Sequence, residues 1–112
     1  MASKKPNLEA LSQELRRGAL TLAVLGALRD EHYGYSLKSR LASKGLDVAE
    51  GTLYPLLRRL HAQGLLDSDW RTDTSRPRRY YYLSDAGLQA LSEATREWNA
   101  LVVATRLILN EV

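Results

Sequence analysis

The sequence predicts a mainly α-helical chain with a small β-hairpin, and three observations carry that expectation. Apolar residues recur at helical spacing in four stretches. Two runs rich in β-formers, 65–71 and 78–83, are separated by the polar turn sequence Thr72-Asp73-Thr74-Ser75-Arg76-Pro77. The last stretch, from Ser84 to about Asn110, is longer than a small domain needs to cover its core. At 112 residues the chain suits one domain of common size, so a second independent domain is not expected.

Residues 1–6, Met1-Ala2-Ser3-Lys4-Lys5-Pro6, form a basic start with no apolar run behind it, and read as a short disordered tail rather than a leader. Asn7 is a natural N-cap, after which Leu8, Leu11, Leu15, Leu22 and Leu25 recur at helical spacing. From Ala19 to Leu28 the pattern is apolar on most sides. That stretch is about half of the roughly 20 residues needed to span a bilayer, so it predicts a core helix and no membrane contact. Gly18 leaves open one long helix or two abutting ones. Tyr33-Gly34-Tyr35 reads as a turn, and Ser36 to Lys44 as a short helix with Leu37 and Leu41 inward, stopped by Gly45.

The third helix runs from about Ala49 to Gln63 and stops at Gly64. Wound at 3.6 residues per turn, it gathers Leu53, Leu56, Leu57 and Leu60 into one apolar stripe. Thr52, Tyr54, Arg58, Arg59 and His61 fall on the opposite arc. Pro55, within the first two turns, removes one backbone bond and tilts the start. The hairpin follows, with a basic far arm, Arg76-Pro77-Arg78-Arg79. On that arm Tyr81 and Leu83 share an inward face, while alternation leaves the direction of Arg79 open.

Ser84 then caps the final helix, with Asp85 near its positive end. At 1.5 Å per residue the helix is about 40 Å long and is expected to pack against another chain. Leu88, Leu91, Thr95, Trp98, Val102, Thr105 and Leu109 fall at alternating three- and four-residue steps, as in a heptad seam made imperfect by its threonines. Leu101, Ala104 and Ile108 thicken the apolar face.

The net charge of +3 is unevenly placed. Residues 1–83 hold 14 Lys and Arg against 9 Asp and Glu, whereas residues 84–112 hold 2 against 4. Basic charge therefore belongs to the part with the third helix and the hairpin, which favours a polyanionic partner. There is no cysteine, hence no disulfide, no thiolate metal site and no Cys nucleophile. His32 and His61 stand too far apart to form a metal motif and read as surface or capping residues, so neither metal nor cofactor is expected. No nucleophile elbow, phosphate loop or close carboxylate pair is present, which argues against an enzyme.

Helix, helix, helix, hairpin, long helix is the winged helix-turn-helix order. Tyr33-Gly34-Tyr35, Gly51-Thr52-Leu53-Tyr54-Pro55-Leu56-Leu57-Arg58-Arg59-Leu60, Gly64-Leu65-Leu66 and Arg76-Pro77-Arg78-Arg79-Tyr80-Tyr81-Tyr82-Leu83-Ser84 together resemble the PadR family of bacterial transcriptional regulators. Three positions depart from the family pattern: Ala49 where a capping Ser is frequent, Ser75 where a Gly often precedes Arg-Pro, and Tyr82 where a basic or polar residue is common. The single terminal helix resembles the short-chain subgroup. That resemblance implies a homodimer in which the helix swaps across and packs on the partner's first helix. It divides the chain into a tail (1–6), a winged helix-turn-helix DNA-binding domain (7–83) and a dimerisation helix (84–112).

In this docking mode the second helix of the motif enters the major groove. The candidate contacts to double-stranded operator DNA are Tyr35, Lys38, Thr52, Tyr54, Arg58, Arg59, Arg76 and Arg78, with Arg40 a further phosphate contact. Arg76 and Arg78 suit a narrow minor groove, whose negative potential attracts guanidinium groups. Leu8, Leu11, Leu15, Leu91, Trp98, Val102 and Leu109 are the expected dimer interface. Trp98, on the seam, would meet its symmetry mate near the two-fold axis, and the resemblance implies that a planar aromatic or phenolic effector binds there. Packing alone explains Trp98 equally well, and Trp70 reads as structural. The expectation is a cytoplasmic, ligand-responsive repressor. The competing readings are a winged-helix protein-interaction module without specific DNA binding, and a single-strand binder stacking bases on Tyr80, Tyr81 and Tyr82.

Overall fold

In the computed structural model, which describes residues 5–72 and 75–111, four helices and one hairpin follow each other in the expected order. Residues 1–4 of the expected tail and the turn residues Asp73 and Thr74 lie outside the described residues. Helix α1 (Leu8–Ala27) is continuous through Gly18, and the Asn7 side chain accepts from the Ala10 N–H at 3.0 Å. Helix α2 spans Gly34–Ser43 and α3 spans Glu50–Ala62. Strands β1 (Leu66–Arg71) and β2 (Arg78–Leu83) pair antiparallel, and α4 covers Asp85–Leu109.

The turn expected at Tyr33-Gly34-Tyr35 is instead the first turn of α2. The Ser36 hydroxyl accepts from the Tyr33 N–H at 3.1 Å, which supplies the capping bond that lets the helix start early. Helix α3 continues through Pro55 and begins at Ala49 without a side-chain cap. Gly64, at φ 79°, adopts the left-handed conformation that lets the chain leave α3 and enter β1.

One apolar core joins the elements. Leu53, Leu56, Leu57 and Leu60 of α3 are all buried, together with Leu20, Val24, Leu25 and Leu28 of α1 and its cap, Leu37 and Leu41 of α2, and Val48. Each such Leu contributes roughly 1.5–3 kcal/mol by leaving water. Tyr81 and Leu83 of β2 close the core as expected, opposite Ser68 and Leu66 of β1. His32 pairs with Tyr81 on the free edge of β2, through bonds of 3.0 and 2.8 Å, so the loop before α2 adds a one-residue third strand to the wing.

Two residues of α4 belong to this core rather than to a separate helix. Leu91, expected on the seam, is half-buried against the core of its own chain. Gly87 is buried against the backbone of Leu65, and the Ser84 hydroxyl donates to the Gly64 carbonyl at 2.6 Å. Beyond that anchor α4 projects away. The radius of gyration, 17.1 Å, exceeds the roughly 13 Å of a compact chain of this length. Leu101, Val103, Leu107, Ile108 and Leu109 are exposed by more than half, as are Leu8, Leu11 and Leu15 of α1. Among the described residues no helix is long and apolar enough to cross a membrane.

Candidate nucleic-acid interface

The strand alternation sorts the wing into two faces. Leu66, Ser68 and Trp70 stand opposite Leu83, Tyr81 and Arg79, and Asp67, Asp69 and Arg71 stand opposite Tyr82, Tyr80 and Arg78. The first face turns toward the core. On it His61, expected on the outer arc of α3, is half-buried, with its ring edge-on to Tyr81 and its Nε2 3.3 Å from the Ser68 hydroxyl. Residue 61 lies two turns beyond Leu53, on the stripe side of the helix, which is why it turns inward. Arg79 follows the same face, donating from Nε to the Ser68 hydroxyl at 3.0 Å and lying over the Tyr81 ring. Trp70 does not pack as expected: it is 67% exposed, because the hairpin extends past the core and none of the described residues covers that side chain.

The second face is acidic at its base and basic at its tip. The Tyr82 hydroxyl is held above its usual pKa, first by desolvation, then by a hydrogen bond to Asp69 and by the charges of Asp69, Asp67 and Glu31. Such a negative base repels phosphate. The basic tip curls instead over the start of α2 and α3, where Tyr33, Tyr35, Glu50, Tyr54, Arg76, Pro77 and Arg78 line one groove.

Four of the expected contacts, Tyr35, Tyr54, Arg76 and Arg78, thus converge from three separate elements. Tyr35 is 66% exposed and Tyr54 38%. The Tyr54 ring lies against the first residue of α2: a Cβ on Gly34 would lie 2.6 Å from Tyr54 Cζ, so a side chain there would push the ring aside. Arg78 is half-buried, its guanidinium 4.3 Å from the centroid of the Tyr33 ring, whereas Arg76 is exposed.

The remaining candidates stand outside this groove. Arg58 and Arg59 are exposed along the front of α3, behind which the Leu stripe is buried. Lys38 is half-buried one turn beyond Tyr35 and lies outside the groove. Thr52 opens onto a second groove, lined by Gln13, Arg16, Arg17 and the 46–49 loop, where Arg16 donates to the Asp47 carbonyl at 2.6 Å. Arg40 lies at the far end of α2 beside Arg29 and Lys44, away from Tyr35. Arg16 and Arg17 carry no signal of this placement in the sequence, because a pair of charges on a long helix gives no sign of which neighbour it meets. Nor does residue spacing place Arg78 on the face of the Tyr33 ring.

Two of the three tyrosines of β2 offer no open stacking face. Tyr81 is buried, and Tyr80 is covered by Tyr33 and Arg71, with ring centroids 5.4 Å apart and the Arg71 carbon 4.2 Å from the Tyr80 centroid. Among the described residues no cluster of His, Cys, Asp and Glu suits a metal ion. Trp98 is 40% exposed on α4, and Val102 is half-buried.

Comparison with known proteins gives a consistent result. Residues 22–93 match the model of the transcriptional regulator PadR-like family. The chain is 42% identical over 85 residues to a transcriptional regulator of Mycobacterium tuberculosis, a match covering 75% of this chain and 79% of that protein. It superposes on a PadR family transcriptional regulator from Eggerthella lenta with a TM-score of 0.87 and 42% identity, covering 94% of both chains. A PadR-like transcriptional regulator from Bacillus cereus aligns with a TM-score of 0.78 and 28% identity, over 88% of this chain and 99% of that one.

Proposed function

From a chain that belongs to the PadR-like family of transcriptional regulators, we propose a sequence-specific, homodimeric repressor that binds a pseudo-palindromic DNA operator in the cytoplasm and is released by a planar aromatic or phenolic effector. The observation that carries the DNA-binding part is the convergence of Tyr35, Tyr54, Arg76 and Arg78 on one groove beside the exposed Arg58 and Arg59. A groove of hydroxyls and guanidinium groups at the front of a Leu-backed helix matches what phosphate and base edges require. In this reading residues 7–83 form the reading head. The Arg pair meets base edges or phosphate in the major groove, Tyr35, Lys38, Thr52 and Tyr54 fix register on the backbone, and of the wing arginines Arg76 enters the adjacent minor groove while Arg78 meets the phosphates along it.

Titrating salt against a duplex from the DNA upstream of the chain's own gene, with a scrambled duplex beside it, tests this reading. The expected result is a preference for the native sequence together with a steep loss of affinity, the logarithmic slope steepening by about 0.9 for each phosphate neutralised. Equal, weak binding to both duplexes would remove the specific-repressor reading and favour a protein-interaction module.

The dimer reading is supported by α4, which carries a wide apolar arc past its own core, and by the uncovered Leu8, Leu11 and Leu15 on α1. Two copies related by a two-fold axis bury these surfaces mutually, each α4 on the partner's α4 and α1. Half-sites then fall about one helical turn apart or a multiple of it. An effector between the paired Trp98 indoles controls this spacing only by binding one dimer geometry better than another. In a Trp70→Phe background, planar aromatic compounds are expected to quench Trp98 fluorescence. The substitution is needed because Trp70 is itself 67% exposed and would mask the signal. No quenching across a broad panel argues against an effector at this position.

A further inference from the structure

We propose that Tyr33 is a positioning residue for Arg78, holding its guanidinium ready for a DNA phosphate; the inference rests on the DNA-binding reading above. The side chains concerned form a continuous series. Glu31 pairs with Arg71, Arg71 lies over the Tyr80 ring at 4.2 Å, Tyr80 meets Tyr33 edge-on at 68°, and Arg78 lies over Tyr33 at 4.3 Å. The bridge between His32 and Tyr81 brings Glu31 and Tyr33 beside β2 and makes the series possible.

A guanidinium lying over a ring gives up its face and keeps its in-plane N–H donors, the ones that grip phosphate as a fork. An arginine normally loses rotamer freedom when it grips a ligand. Stacking incurs much of that loss beforehand, so more of the contact appears as affinity. Arg78 and Tyr33 both line the groove that also holds Tyr35, Tyr54 and Arg76, so the held guanidinium stands beside the other proposed contacts. The capping bonds at Tyr33 use its backbone N–H and carbonyl, with Ser36 at 3.1 and 3.0 Å, so its ring is not needed to start α2.

A double-mutant cycle on the full chain tests the role, with affinity read by fluorescence anisotropy on labelled duplexes, one from upstream of its own gene and one scrambled. Tyr33→Leu is expected to weaken binding about fivefold in the native background, the size of a moderate cation–π contact. In an Arg78→Ala background the same substitution is expected to cost less than about twofold, because the group it positions is gone. Tyr33→Phe keeps the ring face and is expected to bind within about twofold of the native chain. Equal losses in both backgrounds, no loss on Tyr33→Leu, or a loss on Tyr33→Phe as large as on Tyr33→Leu would each overturn the role. Should Tyr33→Leu fail to fold, Tyr80→Leu, which removes the ring propping Tyr33, carries the same cycle. The two failures remain distinct. A native chain that does not discriminate the duplexes defeats sequence specificity, while the cycle on the scrambled duplex still reads the coupling, since phosphate contacts need no sequence.

Discussion

A chain carrying Leu101→Glu and Ile108→Glu together is expected to be a folded monomer that has lost about a hundredfold or more of its operator affinity. Both side chains are exposed in the single chain, at 53% and 65%, and they stand seven residues apart on one side of α4. Neither touches the core, so the winged-helix unit should stay folded, its unfolding temperature lowered only by the stability that dimerisation itself adds. In a dimer, however, each glutamate would face apolar surface and the substitutions at its symmetry mate, and burying an unpaired carboxylate costs several kcal/mol. Dimer formation makes binding of the second half-site intramolecular, an advantage of about 10²–10⁴ that a monomer forfeits. Sedimentation and duplex binding on the same sample check both halves. A variant that remains dimeric would place the interface elsewhere. One that becomes monomeric but binds as tightly would remove the two-half-site arrangement.

Gly87→Ala is expected to destabilise the chain although alanine is the better helix former. In an open helical position the exchange gains about 0.5–1 kcal/mol. At Gly87 a Cβ would collide with the Leu65 carbonyl oxygen and lie 3.0 Å from its carbon and 3.2 Å from Leu83 Cδ2. The obstacle is largely backbone, and the same carbonyl already accepts from the Ser84 N–H at 3.1 Å, so the start of α4 has to move away. Overpacking of this kind costs about 1–3 kcal/mol, which for a domain of this size is roughly 5–20 °C in Tm. Gly18→Ala is the matched control: it is central in α1, nothing lies within 4 Å of its Cβ position, and it should raise stability slightly. Thermal unfolding of both variants, followed by circular dichroism, should give shifts of opposite sign. If Gly87→Ala also stabilises, the close approach of α4 to the Leu65 backbone is not a constraint on the fold.

Much of the architecture was legible because periodicity acts locally. The Leu stripe of α3 is buried at every position, β2 has the expected bounds, and Tyr81 and Leu83 face inward. Asn7 and Ser84 cap α1 and α4 through their side chains, as such residues do wherever a helix starts. The differences between sequence and structure have one local and several remote causes. Tyr33-Gly34-Tyr35 looked like a turn because aromatic residues and glycine are weak helix formers, while Ser36 and the pairing of His32 with Tyr81 tip the balance toward an early start. His61 and Trp70 exchanged their expected environments, since the reach of the wing decides which inward position finds a cover.

The candidate interface divides in the same way. Residue type and spacing sufficed to single out Tyr35, Tyr54, Arg76 and Arg78, but not to show that they share a groove or that Arg78 rests on Tyr33. They likewise separated Thr52 from Tyr54 by only one residue, while the fold opens them onto different grooves.

By itself, then, the sequence determined the helices, the hairpin, the inward faces and the basic character of the part before α4, since these follow from near-neighbour periodicity and charge. Tertiary structure alone decided that Arg76, Pro77 and Arg78 meet the start of α2, that Arg78 rests on Tyr33, and that α4 leaves the core after Leu91. The physical reason is that these outcomes depend on contacts between residues far apart in the chain, such as Tyr33 with Tyr80 and Gly87 with Leu65, and no local pattern encodes a partner's position.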